Sequence, residues 1–308
     1  MQTTIAARVE TGSFFDLGRD DPALTRLRED GAQQALPFAL MERLVKSGIP
    51  YAEHARALPS DRLDVAGAAF DWFDGILHEQ IAKEINLGTY EILEHTVVRR
   101  ASLISALERL ASVHPEGFAR VHEFVRGLLW VGLQPGTGGS SLTSSSDPAL
   151  PYVVMFSDKA LLHIPPNTVS TEPSPRFLAE NILHEGVHQA VSFHVLTHQV
   201  FADGHSSQTS PKVEIAWRAV QGVERNQFWE VDRVFHATYV YNQVLRFRLR
   251  ELARDDLTAN ERTCFQAAYD DGMPAVRYLM DQLDHLGRYF TAHGHALLAD
   301  LRHQTDAL

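Results

Sequence analysis

Ser174-Pro175-Arg176-Phe177-Leu178-Ala179-Glu180-Asn181-Ile182-Leu183-His184-Glu185-Gly186-Val187-His188-Gln189-Ala190-Val191 is the stretch on which the reading of this chain turns. Ser174 can cap free backbone N–H groups, and Pro175 suits the first helical position because it has no N–H to leave unpaired. The pattern predicts a helix from Pro175 to about Thr197. On such a helix His184 and His188 stand one turn apart, about 6 Å along the axis on one face, so both imidazoles can reach a single cation. Gly186 between them costs about 1 kcal/mol relative to alanine in a helix interior, which suggests that something needs room beside it.

Working outward, Tyr152–Phe156 and Ala160–Ile164 are short apolar runs separated by Ser157-Asp158-Lys159, and together they read as a β-hairpin. Before them, residues 135–150 are rich in glycine and serine and read as a loop or lid. No Gly-Lys-Ser/Thr follows those glycines, which argues against a phosphate loop. Residues 1–134 read as a helical region, with Phe70, Phe73, Leu77 and Ile81, then Leu103, Leu107 and Leu110, at helical spacing. Downstream, Val213, Ile215 and Trp217 alternate like a strand. A long helix is expected from about Phe228 to Arg254, and one or two more between Asn260 and His303. The expected fold is mainly α with a small β-hairpin or sheet (α+β), residues 151–308 forming the metal-binding region around a central HExxH helix.

Composition narrows the function classes. The 308 residues carry a formal charge of −11, which opposes binding to nucleic acid or to anionic membrane. Cys264 is the single cysteine, so neither an intramolecular disulfide nor a thiolate metal cluster can form, and Cys264 itself reads as a small core residue. A basic start followed by an apolar run is missing from the N-terminus, and a cytoplasmic protein is expected. A metal site here must use imidazole and carboxylate, which suits zinc or Fe(II). The alternative is an amphipathic helix whose two histidines merely hydrogen-bond on a half-buried face.

A catalytic metal needs a third protein ligand. His194 completes a metzincin-like spacing, but no helix breaker lies between Gln189 and Phe193, so on a continuous helix it points elsewhere. Glu214, Glu224 and Glu230 would each give a two-histidine, one-carboxylate site. His236, in the apolar run Val234-Phe235-His236-Ala237-Thr238-Tyr239, is preferred because an imidazole there needs a partner.

Over roughly Leu150 to Glu251, about a third of the chain, the sequence resembles the α-ketoglutarate-dependent HExxH-type peptide β-hydroxylase family, also described as HExxH motif putative peptide-modification proteins. The matching elements are Tyr152–Phe156, His184–His188, Ile215-Ala216-Trp217-Arg218 and His236-Ala237-Thr238-Tyr239. Where that family often has a lysine, a proline and a second histidine, this chain has Gln189 and Ala190, Ala216, and Tyr241. The resemblance implies an Fe(II) and α-ketoglutarate oxygenase of natural product biosynthesis that hydroxylates a carbon of an amino-acid or peptide side chain. It further implies His184, His188 and His236 as metal ligands, Glu185 as a positioning or substrate-binding group, and Arg218, with Arg246 behind it, as the partner of the cosubstrate's distal carboxylate. The competing expectation is a zinc peptidase or amidase with Glu185 as general base. A helical binding module with accidental histidines is the third.

Overall fold

The computed structural model describes residues 60–73, 89–138, 142–146, 152–218 and 227–308. The first two strands, β1 (Ser60–Val65) and β2 (Ala68–Phe73), form a hairpin whose turn residues Ala66 and Gly67 both have positive φ. Paired positive φ values match the right-handed twist of the flanking strands. β3 (Tyr90–Ile92), β4 (Gly127–Leu133), β5 (Ser144–Ser145) and β6 (Val153–Phe156) complete a mixed sheet. Its order is β1-β2-β4-β6-β5, with β2-β4 and β4-β6 parallel, β5-β6 antiparallel, and β3 pairing with the far end of β4.

Strand side chains alternate between faces, and the sheet sorts them accordingly. Phe70, Trp72, Leu128, Trp130, Val154 and Phe156 join the main core under the helices, while Phe73, Leu129, Val131, Val153 and Met155 form a second cluster closed by Tyr90, Ile92 and Leu142. The helices are α1 (Val97–Val113), α2 (Pro115–Phe124), α3 (Pro175–Thr197), α4 (Val231–Leu252), α5 (Ala259–His285) and α6 (Ala292–Asp306). α3 is buried on nearly all sides, and the polar groups it carries into the interior, Glu180, Asn181, Glu185 and Gln189 among them, are hydrogen-bonded there. It packs on α1, α2 and α4, and α4 packs in turn on α5. The fold is therefore mainly α with a small mixed sheet and two short hairpins, an α+β architecture. No helix among the described residues is long and apolar enough to cross a membrane.

The motif helix begins at Pro175 and ends at Thr197, with the Ser174 hydroxyl accepting from the Arg176 N–H. Three other expectations need correction. Phe70 and Phe73 lie on β2, not on a helix, because their three-residue spacing falls across the strand's alternation; Leu77 and Ile81 lie outside the described residues. Leu103, Leu107 and Leu110 are on α1 as expected. Tyr152–Phe156 and Ala160–Ile164 do not pair with each other. β6 is buried on both faces and sits between β4 and β5, a position that calls for a continuous apolar run. Ala160 falls in a 3-10 turn (Asp158–Leu161), and Ile164 belongs to β7 (His163–Ile164), paired with β8 (Thr168–Val169). Downstream, the strand reading holds only for β9 (Lys212–Glu214), since Ala216–Arg218 winds into a 3-10 turn; β9's partner is β10 (Phe228–Glu230), a segment that the sequence pattern merges with the helix that follows.

Candidate metal centre

His184 and His188 project from α3, and His236 comes from α4, the helix packed beside it. The ring centroids of His184 and His188 are 5.0 Å apart, and those of His188 and His236 are 6.0 Å apart with the rings near parallel. All three rings are half-buried: packing strips most of their water while each keeps some accessible surface. Burial holds His184 down to about 3, with the guanidiniums of Arg248 and Arg218 acting in the same direction. His188 is also lowered to about 3, first by burial and then by the His184 ring, and burial brings His236 to about 4. At neutral pH these are three uncharged imidazoles, the form that binds a metal.

The donor set fits a transition metal on a further ground. The buried Nδ1 of His184 has no hydrogen-bond partner among the described residues. Buried imidazole nitrogens ordinarily find one. The rings are neighbours rather than a closed cage: among the described residues no group of three or more His, Cys, Asp or Glu already stands in metal-binding geometry.

Two side-chain locks orient this face. Glu180, one turn before His184, receives Nε of Arg248 at 2.9 Å and its NH2 at 2.5 Å, with both side chains fully buried. Arg248 also donates to the carbonyls of Ala268 and Pro165, so the pair fixes α3 against α4 and α5. Gly186 supplies close approach: a Cβ there would lie 2.8 Å from Cγ2 of Val121 on α2. The room it leaves is taken by a neighbouring helix.

Glu185 is buried, and its two carboxylate oxygens accept hydroxyls from Ser144 and Ser146, each at 2.7 Å. Part of the Gly/Ser segment is thus ordered as an edge strand pinned to β6 and to the motif glutamate. Oε1 of Glu185 stands 3.9 Å from Nε2 of His184.

The other sequence candidates are dispersed. His194 turns to a different neighbour, its Nε2 lying 2.8 Å from Nε2 of His293. Glu214 is exposed on β9, Glu230 pairs with Lys212 at 3.2 Å, and Glu224 lies outside the described residues. Arg246 donates to Asn242 Oδ1 and to the Gln304 carbonyl. Arg218 stays with the histidines, its guanidinium 5.1 Å from the Trp229 ring centroid and its charge acting on His184. Sequence reading missed Arg233, which lies 4.8 Å from the same indole, is lowered by burial and by Arg218, and acts on His188. Its signal was position: Arg233 precedes His236 by three residues, the spacing of neighbours on one helix face. Ser144 and Ser146 were likewise missed, within a segment read only by composition. No protein-family model matches the chain, and no curated protein matches it at a significant level.

Proposed function

We propose that this protein is an iron(II)- and α-ketoglutarate-dependent oxygenase that hydroxylates a carbon of an amino-acid or peptide side chain. The observation that carries the reading is the juxtaposition of three uncharged imidazoles, His184, His188 and His236, with the two guanidiniums of Arg218 and Arg233. Three neutral nitrogen ligands leave the charge of a divalent cation uncompensated, which favours anionic oxygen ligands in the remaining positions. A dicarboxylate such as α-ketoglutarate has one end for the metal and another for an arginine. Iron(II) bound there would supply O₂ activation, with α-ketoglutarate as the two-electron reductant released as succinate and CO₂.

His184, His188 and His236 hold the metal in this reading. Arg218 and Arg233, stiffened by stacking on Trp229, orient the distal carboxylate. Glu185, both of whose oxygens accept serine hydroxyls, positions the metal face and the edge strand rather than removing a proton. The resemblance over Leu150 to Glu251 points to the same chemistry and to a peptide substrate.

One observation favours a second reading, a zinc hydrolase: Glu185 lies beside His184, within reach of a water on the same ion. Anaerobic purification followed by metal analysis and an assay of succinate release from α-ketoglutarate, with and without peptides, separates the two. Iron with succinate release that disappears in His236→Ala supports the oxygenase. Zinc with peptide cleavage abolished by Glu185→Gln supports the hydrolase, and a protein that takes up neither metal at its intact histidines overturns both.

A further inference from the structure

A carboxylate stands beside the third imidazole. Asp232 is the second residue of α4 and precedes His236 by four, so the two side chains share one face of the helix, one turn apart. Side chains on a helix lean toward its N-terminus, which carries the His236 ring back toward Asp232. The two groups feel each other: burial disfavours a proton on His236, and the Asp232 carboxylate acts in the opposite direction.

The two oxygens of Asp232 are in different situations. Oδ2 accepts the hydroxyl of Ser207 at 2.8 Å. Ser207 is exposed, in a turn where the Ser210 N–H donates to the Ser206 carbonyl and the Ser210 hydroxyl to the carbonyl of Ser207 itself. Oδ1 is buried and has no hydrogen-bond partner among the described residues. The carboxylate is thus tied at the surface by one oxygen and left with the other inside. An acidic residue in the first turn of a helix is ordinarily explained by the free N–H groups there. That explanation fails for Oδ1, because an oxygen capping α4 would have an N–H partner. Buried polar atoms without one are rare enough to call for another reason.

We propose that Asp232 is a positioning residue for His236: its inward oxygen draws the ring N–H of His236 to its own side and leaves the lone pair of the other ring nitrogen for the metal ion. The inference rests on the metal centre proposed above and adds a residue to it. A neutral imidazole carries its proton on one nitrogen only, and a neighbouring negative charge favours the tautomer whose N–H faces it. The same charge makes the ring a stronger donor to a cation, as carboxylates behind metal-binding histidines commonly do. It also offsets part of the positive charge that three neutral ligands leave uncompensated. Ser207 keeps the carboxylate in place from the surface side, so that its charge stays beside the ring.

The test has two readouts on the full chain. The tautomer of His236 in metal-free protein at neutral pH is read by long-range ¹H–¹⁵N correlation NMR, its signals identified by their loss in His236→Gln. Co²⁺ affinity is read by equilibrium dialysis. Asp232→Asn keeps the shape of the side chain and removes its charge. The parent should hold one His236 tautomer and Asp232→Asn a mixture, with Co²⁺ bound about 10- to 100-fold more weakly and circular dichroism unchanged. In a His236→Gln background Asp232→Asn should cost little further affinity, because the ring through which it acts is gone. The role is overturned if Asp232→Asn leaves either the tautomer or the Co²⁺ affinity of the parent unaltered. It is overturned equally if Asp232→Asn weakens Co²⁺ binding by the same factor with and without His236. Failure of the metal centre has another signature: a parent that binds no Co²⁺, in which the tautomer still decides what Asp232 does to His236.

Discussion

Gly186 shows how a single residue can serve packing beside a chemical site. Alanine in a helix interior is ordinarily favoured over glycine by about 1 kcal/mol, so intrinsic propensity alone predicts that Gly186→Ala stabilises. The Val121 side chain stands in the way, with Cγ2 at 2.8 Å and Cα at 3.5 Å from the added carbon, and a β-branched side chain cannot swing clear. Gly186→Ala is therefore expected to destabilise by about 1–3 kcal/mol in urea unfolding. Adding Val121→Ala should recover part of the loss, giving a coupling energy on the order of 1 kcal/mol. A neutral or stabilising Gly186→Ala would mean that α2 yields freely. The histidine pair itself was legible because one turn of helix fixes the geometry of i and i+4. The serines on Glu185 were not, since their role depends on a sheet register set by β6, a long-range pairing that local composition does not encode.

At the scale of elements, Glu180 and Arg248 decide how α3 and α4 face each other, and hence whether His236 meets His188. Removing one partner of a buried pair leaves an uncompensated charge, at a cost of about 3–5 kcal/mol. Arg248→Met should show that loss in chemical denaturation. Glu180→Met with Arg248→Met together should lose less than the sum of the singles, because no charge is then stranded. Strict additivity would show that the two helices are held by apolar packing alone. The helices were the readable elements: α3 announces its start through Ser174 and Pro175, and the interiors of α4 and α5 fall within the helical spans read from sequence. The sheet was harder. β1 and β2 turn at Ala66-Gly67 without an Asn-Gly or Asp-Gly signal, and β6 is buried on both faces, so its apolar run gives no hint of which strands flank it.

For the whole molecule, the common property of its buried imidazoles sets a pH limit. His114, fully buried between α1 and α2, accepts a hydrogen bond at Nδ1 from Arg250, and burial followed by that guanidinium lowers it to about 4. With His184, His188 and His236 held at about 3, 3 and 4, four histidines stay neutral in the folded chain where the unfolded chain protonates them near 6.5. Between pH 6.5 and about 4 the unfolded state therefore binds more protons, so stability rises with pH across that window and is lost as pH falls through it. Each group contributes up to about 1.4 kcal/mol per pH unit. Urea midpoints of metal-free protein should fall steeply from pH 7 to pH 5, and His114→Gln should reduce the slope of unfolding free energy against pH by about one such increment. The glutamine introduced by that substitution could still accept from Arg250 through its side-chain carbonyl, so the change in slope would report the lost protonation and not a lost hydrogen bond. A flat profile between pH 7 and pH 5 would show that these rings take up protons in the folded protein as readily as in the unfolded chain, and an unchanged slope in His114→Gln would show the same of His114.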